Sequence, residues 1–312
     1  MVRVAIVGAG GMANEHIRAF SALPDVEVCG IHSRTRSRAE ELAQSHDIAI
    51  VADSISELKD KTAADLVVVA VPELAANKVA KDCFSHDWAV LLEKPAGYDL
   101  ADAEDIAAAA KAHSKPVMVG FNRRFYSSVA TVLADIDTRD EARYVRIQDQ
   151  QSYEEARRYN HPEEVVERFM YANSIHVIDL IRAICRGRVV DVNPIKPWMG
   201  EQTEVVLVYI TFDSGDCALY EGLWKGPGPW AAAVSTPARR WLMQPLEDAA
   251  FQNAGERTRQ ERLRDRIDVD FKPGFFRQAE AVVARVRGQE SAAVSIDQSL
   301  ETMRLINRMF GV

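Results

Sequence analysis

Two short segments carry residues whose type and spacing suit chemistry. The first is Gly8-Ala9-Gly10-Gly11-Met12-Ala13, which fits the pattern G-x-G-x-x-A. In such a turn the first glycine permits a tight bend. The second has no Cβ, so a pyrophosphate can approach the backbone, and the final alanine lets helix and strand pack closely. The helix that follows offers unpaired N–H groups and the positive end of its dipole to an anion. Gly8, Gly10, Gly11, Met12 and Ala13 are therefore read as cofactor contacts. Glycine turns link many strands to helices, so the motif counts only between a strand and a helix. About 20 residues further on, an NAD site places an acid on the ribose 2′-hydroxyl. Here that stretch reads His32-Ser33-Arg34-Thr35-Arg36-Ser37-Arg38, with no acid. Ser33, Arg34 and Arg38 suit a 2′-phosphate through charge-assisted hydrogen bonds, and Arg34 could stack on adenine. NADP(H) is favoured and NAD(H) kept as the other option. A solvated basic helix start would look the same.

The second segment is Glu93-Lys94-Pro95. A lysine just past the carboxyl end of a central parallel strand stands where open α/β sheets bind ligands. It can pass a proton to or from a substrate oxygen as hydride moves, and burial beside an oxidised nicotinamide would lower its pKa. A cis Pro95 would aim it. Without the glycine turn, a surface lysine in a plain turn would be the better reading.

These residues need a frame. Strands are predicted at Val2–Val7, Val26–His32, Ile48–Val51, Leu66–Val71, Trp88–Leu92 and Pro116–Val119. Helices are predicted from Gly11 to Leu23 and at Ser37–His46, Glu73–Phe84 and Leu100–Ala112. Alternating strand and helix with short links, and a fully apolar run such as LVVVAV, indicate a doubly wound parallel sheet covered on both faces. After residue 121 the rhythm changes. Helices are expected at Ser127–Ile136, Glu163–Phe169, Ser174–Cys185, Gly274–Arg287 and Ser295–Phe310, the last opened by a Ser295-x-x-Gln298 capping box. Strands are expected at Tyr144–Gln150, Val189–Lys196, Glu204–Phe212, Cys217–Trp224 and about Arg239–Gln244, with a hairpin turn at Asp213–Asp216 and a loop at Gln151–Pro162. The fold class is thus α/β: a Rossmann domain over residues 1–121, then an α+β substrate-binding and oligomerisation domain over 122–312 with an open, mainly antiparallel sheet.

Glu93-Lys94-Pro95, the glycine turn, the run Gly120-Phe121-Asn122-Arg123-Arg124-Phe125 and His176-x-x-Asp179-Leu180 come in an order and spacing that resembles the Gfo/Idh/MocA family of NAD(P)-dependent sugar and cyclitol oxidoreductases. Lys272-Pro273-Gly274-Phe275 and Asn173-Ser174-x-His176 look like a branch associated with sugar-nucleotide or surface-polysaccharide metabolism. The resemblance implies that His176, otherwise a plain histidine on an apolar helix, serves with Lys94 in proton transfer at the reacting hydroxyl. It also implies a sugar-like small-molecule substrate and a homodimer or homotetramer through the open sheet. Two positions depart from it: Ala172 stands where many polyol-oxidising members have Asp, and Ala76 where members commonly have His. Ala70, Pro72, Asn77 and Glu93 are placed on the cofactor side. Asn122, Arg123, Arg124, Asn173 and Tyr153 are placed on the substrate side. One of the two arginines is expected in an interdomain ion pair. Asp179 is expected either to orient the imidazole of His176 or to cap buried backbone groups. Tyr153, Arg157, Arg158 and Tyr159 are expected to shape substrate choice, and Lys225–Trp230 to form either a lid or a stiff turn between strands.

Composition agrees with a folded enzyme: 312 residues, 47% apolar, 27% charged, net charge −8. An acidic chain is a poor binder of nucleic acid or anionic membrane. The longest apolar run falls far short of the ~20 residues of a membrane span. The N-terminus lacks a signal-peptide layout, so a cytoplasmic location is expected. Cys29, Cys83, Cys185 and Cys217 share no C-x-x-C spacing and read as buried free thiols, with no metal site. Two other functional classes fit the same residues: a non-catalytic NADP-binding regulator, and a redox-neutral enzyme with tightly held cofactor.

Overall fold

In the computed structural model, which describes residues 1–312, the chain forms two compact units. The first begins with β1 (Val2–Val7), α1 (Gly11–Ser21), β2 (Val26–His32), α2 (Arg36–Ser45), β3 (Val51–Ala52), α3 (Ile55–Thr62), β4 (Leu66–Val69), α4 (Glu73–Phe84), β5 (Ala89–Glu93), α5 (Leu100–Ala110) and β6 (Val117–Gly120). The six strands are all parallel and lie in the order β3-β2-β1-β4-β5-β6, a Rossmann sheet with its switch of direction between β1 and β4. Every residue of β4 is buried, as an apolar run covered on both faces requires. Ser54 caps α3 by accepting from the Glu57 N–H, and Asp99 caps α5 by accepting from the Asp102 N–H.

The second unit holds α6 (Ser127–Ile136), β7 (Tyr144–Gln150), α7 (Tyr153–Arg158), α8 (Glu163–Val166), α9 (Ile175–Ile184), β8 (Val189–Lys196), β9 (Val205–Phe212), β10 (Cys217–Leu223), β11 (Ala231–Ser235), β12 (Arg239–Met243), β13 (Ala249–Asn253), β14 (Gln260–Arg262) and most of α10 (Ile267–Asp270). Its eight-stranded sheet runs β14-β13-β12-β11-β7-β10-β9-β8, antiparallel except where β7 meets β10. Burial alternates strictly along β7, β9 and β10, so one face meets the core and the other carries Tyr144, Arg146, Tyr209, Leu219 and Glu221. A π-helical turn, Met170–Ser174, runs directly into α9.

The closing segment corrects the expected domain limits. Residues 270–301, with α11 (Phe275–Val286) and the start of α12 (Ile296–Phe310), belong to the first unit; Thr302–Val312 belong to the second. Phe275, Ala279, Val282 and Val283 of α11 join α1 and α2 in one apolar cluster with β1 and β4. The Ser295/Gln298 capping box forms, with each side chain bonded to the other residue's N–H. Other differences are local. β3 starts at Val51, β4 stops at Val69, and α3, β11, β13 and β14 stand where no element was expected. α7 occupies the expected loop at 151–162; its signal was Ser152-x-x-Glu155, where the Ser152 hydroxyl accepts from the Glu155 N–H. Cys29, Cys83 and Cys185 are buried free thiols, whereas Cys217 is only half-buried. No helix is long and apolar enough to cross a membrane.

Candidate active site

In the first unit, β1 delivers the chain to Gly8, whose φ is +117°. A Cβ there would sit 2.0 Å from the Ala70 carbonyl oxygen, at the end of β4. Gly8 is therefore required by both conformation and space. Gly10 and Gly11 differ: a Cβ at either would meet nothing within 4 Å. The protein's own packing does not ask for these glycines, whereas an approaching phosphate would. Gly10 is the N-cap of α1 and supplies no side-chain cap, so the first-turn N–H groups stay available to an anion. Ala13 is fully buried and Met12 is exposed. The residues present thus fit a dinucleotide.

After β2, Arg34 and Arg38 are exposed, and Ser33 accepts from the Thr35 N–H at 3.3 Å. Arg36 is engaged with Glu40 and Asp53, which leaves Arg34 and Arg38 as the cations without an ion pair in this stretch. Beyond β4, Ala70 lies against Gly8 and Pro72 is exposed at the head of α4. Asn77 is tied elsewhere: its Nδ2 donates to Asp102 at 2.7 Å and Asp105 at 2.8 Å on α5. Glu93 also turns inward. Its Oε1 lies 2.6 Å from Nε2 of His16, which is 1% exposed on α1 and packed on Phe275. His16 was not singled out from the sequence; its only signal was a polar residue on the buried face of the glycine-turn helix. Lys94 follows, half-buried, and the Lys94–Pro95 bond is cis. Asn122 is buried, with its Nδ2 donating to the Pro273 carbonyl at 3.1 Å rather than held open for a ligand.

In the second unit the two adjacent arginines part company. Arg124 makes a fork to Asp179, with Nε and Nη2 each donating at 2.6 Å, and Thr302 donates its hydroxyl to the same carboxylate at 2.9 Å. This corrects two expectations. The ion pair lies within one unit rather than between domains, and Asp179 holds Arg124 and Thr302 rather than capping backbone groups or steering an imidazole. Arg123 instead lies 4.3 Å from the centre of the Trp230 ring. Burial pulls its guanidinium below the usual value. The His176 ring is 6.3 Å from Trp230, whose Nε1 donates to the Gln150 carbonyl at 2.8 Å. Of the Lys225–Trp230 segment, then, Trp230 lies against Arg123 and within 6.3 Å of His176. Ala172 is buried in the π-turn.

The predicted selectivity loop is engaged in structure. Tyr153 is buried; its ring lies on Trp224, its oxygen accepts from Trp198 Nε1 at 3.1 Å, and burial pushes the phenol up to about 12. Arg157 pairs with Glu163 and Glu201, and Arg158 with Glu155. Tyr159 is 74% exposed and makes no such pair. Sequence reasoning also missed Asp149, fully buried between Tyr220 and Gln151. Burial pushes its carboxyl up, and those hydrogen bonds oppose the shift.

Residues 2–121 match the model of the Gfo/Idh/MocA oxidoreductase family with its NAD-binding Rossmann fold. That match spans 120 of the 312 residues. One relative, the scyllo-inositol 2-dehydrogenase (NADP(+)) IolU of Bacillus subtilis (strain 168), is 26% identical over 40% of this chain and 38% of its own length. The chain matches between 35% and 41% of the length of this and two other curated relatives. Two solved structures share the whole fold. One is the UDP-N-acetylglucosamine 3-dehydrogenase GnnA from Acidithiobacillus ferrooxidans, with a TM-score of 0.78 at 14% identity over 98% of this chain and 96% of that one. The other is a levoglucosan dehydrogenase in complex with NADH, with a TM-score of 0.81 at 15% identity over 99% and 95%.

Proposed function

We propose that the protein is an NAD(P)-dependent oxidoreductase acting at a hydroxyl or carbonyl carbon of a sugar, sugar nucleotide or cyclitol. The observation that carries this reading is the turn at Gly10 and Gly11. It is open to a phosphate, heads the uncapped α1, and lies in a Rossmann unit that matches an oxidoreductase family model. When bound there, the nicotinamide supplies or takes the hydride. Lys94 gives or takes the proton on the reacting oxygen, and His176 orients that oxygen. Arg123 and Trp230 offer a cation and an aromatic face to a polar ring. Arg34 and Arg38, without ion pairs and with no acid after β2, support NADP(H) over NAD(H). Ala172 supplies no carboxylate base, which suits the reductive direction, where the protein must donate a proton. The half-exposed sheet face with Tyr144, Tyr209 and Leu219 is assigned to self-association as a homodimer or homotetramer.

The buried Ala172 also favours a second reading, a regulator that binds NADP without turnover. Calorimetric titration with NADPH and NADH comes first. Reductase and dehydrogenase assays on keto-sugars, inositols and sugar nucleotides then follow nicotinamide absorbance with wild type and Lys94→Met. The enzyme reading expects NADPH to bind more tightly than NADH, and turnover that is lost in Lys94→Met with binding kept. Binding of NADPH with no turnover across the panel favours the regulator. Binding of neither nucleotide by protein free of copurified nucleotide removes both.

A further inference from the structure

From Met170 to Ile181 every side chain is buried except those of Asn173 and His176. These two half-buried residues, three apart where the π-turn runs into α9, are the ones in this stretch that reach the surface. Behind Asn173 runs a buried chain of hydrogen bonds. Asn173 Nδ2 donates to Gln151 Oε1 at 2.9 Å, and Gln151 Nε2 donates to Asp149 Oδ1 at 2.6 Å. Tyr220 donates its hydroxyl to Asp149 Oδ2 at 2.7 Å. Asp149 and Tyr220 are fully buried, and Gln151 is 1% exposed.

The chain has a direction. Oδ1 of Asp149 accepts from Gln151, and an amide accepts at one end and donates at the other. Asp149 therefore draws the NH2 of Gln151 inward, which turns the Gln151 oxygen toward Asn173. That oxygen draws the NH2 of Asn173 inward in turn, and the atom of Asn173 left to face outward is Oδ1. The network, not the near-symmetric shape of the amides, decides this orientation.

We propose that Asp149, acting through Gln151, holds Asn173 so that it presents its carbonyl oxygen beside His176 as a neutral acceptor for a substrate hydroxyl. Asn173 thereby takes, from the next position in the chain, an accepting role that Ala172 cannot fill. Asp149 and Gln151 are positioning residues. The orientation stands on the hydrogen bonds alone; the substrate hydroxyl rests on the polyol reading above.

A double-mutant cycle tests the direction. Asn173→Asp puts a second acceptor against Gln151, whose one NH2 cannot serve both ends. Asp149→Asn in the same chain supplies a donor at the inner end, so Gln151 can turn over and the whole relay reverses. Urea unfolding of wild type, both single variants and the double should show each single variant losing about tenfold or more in the folding equilibrium constant. The double should recover at least about tenfold over the sum of the two losses. Simple addition overturns the relay. Calorimetry of NADP+-loaded protein with scyllo-inositol, myo-inositol and D-glucose then tests the acceptor. Weakening of about tenfold in Asn173→Ala, with affinity kept in the double variant, supports it. Equal affinity in wild type and Asn173→Ala overturns it. No binding of any of the three to loaded wild type removes the substrate part together with the polyol reading, while the unfolding cycle still decides the relay.

Discussion

Replacing Arg124 by Ala should be among the most damaging single changes in the second unit, and more damaging than removing its partner's charge. The Asp179 side chain is 2% exposed, while that of Arg124 is 17% exposed. Arg124→Ala leaves a buried carboxylate with the Thr302 hydroxyl as its remaining partner in the network described. Breaking a buried pair from that side costs about 3–5 kcal/mol. Asp179→Asn leaves Arg124, which already reaches water and can turn toward it. The loss is then about that of a hydrogen bond to a charged group, roughly 1.5–3 kcal/mol. Replacing both partners together, as Arg124→Met with Asp179→Leu, should cost less than Arg124→Ala alone, since no charge is then stranded. Urea unfolding followed by tryptophan fluorescence suits the question, because Trp198, Trp224, Trp230 and Trp241 all lie in the second unit. An Arg124→Ala midpoint within error of wild type, or a larger loss for Asp179→Asn, would refute the reasoning. So would a shift in the pH–rate profile of Asp179→Asn without loss of stability, which would return Asp179 to the imidazole.

Gly8→Ala, forced against the Ala70 carbonyl at positive φ, should cost more than about 2 kcal/mol of stability in a thermal melt. Gly10→Ala should melt as wild type does, because its Cβ meets no protein atom, yet bind NADPH about tenfold more weakly by calorimetry. His16→Ala, which opens a cavity and strands Glu93, should cost about 2–4 kcal/mol in urea unfolding. For Asp216, burial alone would raise the carboxyl, but hydrogen bonds from the Arg186 guanidinium and from the N–H groups of Arg186 and Arg143 hold it below the usual range. A depressed folded pKa adds stability above the unfolded value of about 3.9 that is lost as pH falls through the folded one. Melts from pH 3 to 7 should therefore show a deficit for Asp216→Asn that is full near pH 6 and shrinks below pH about 4.

The parts legible in the sequence were those set by neighbours in the chain. β1, β2 and β4 read as apolar runs, and the glycine turn is a local motif. α3 was hidden because only Leu58 and Thr62 of its eight residues are buried, which leaves little apolar period to see. β11 is mostly alanine, with Val234 its one branched residue, and β14 is polar and exposed throughout. The site residues that were misplaced or missed owe their roles to partners far along the chain. Glu93 meets His16 77 residues away, Asp179 meets Arg124 55 away, and Asp149 meets Tyr220 71 away. Local spacing could name Arg123 and Arg124 together; only the tertiary partner separates them. The π-turn was invisible for a similar reason, since nothing in MYANS distinguishes its hydrogen-bond offset from that of an ordinary helix.

The late return of the chain to its first unit sets an order on biosynthesis. During translation, β1 to β6 emerge long before α11, which supplies Phe275, Ala279, Val282 and Val283 to their apolar cluster. At about 5–20 residues per second the gap between Asn122 and Val286 lasts on the order of ten seconds or more. Through that interval the nascent first unit lacks the helix that completes its apolar cluster. A chain cut after Asn122 would keep that bare patch permanently, so the fragment that looks most like a self-contained nucleotide-binding domain should be the one most prone to aggregate.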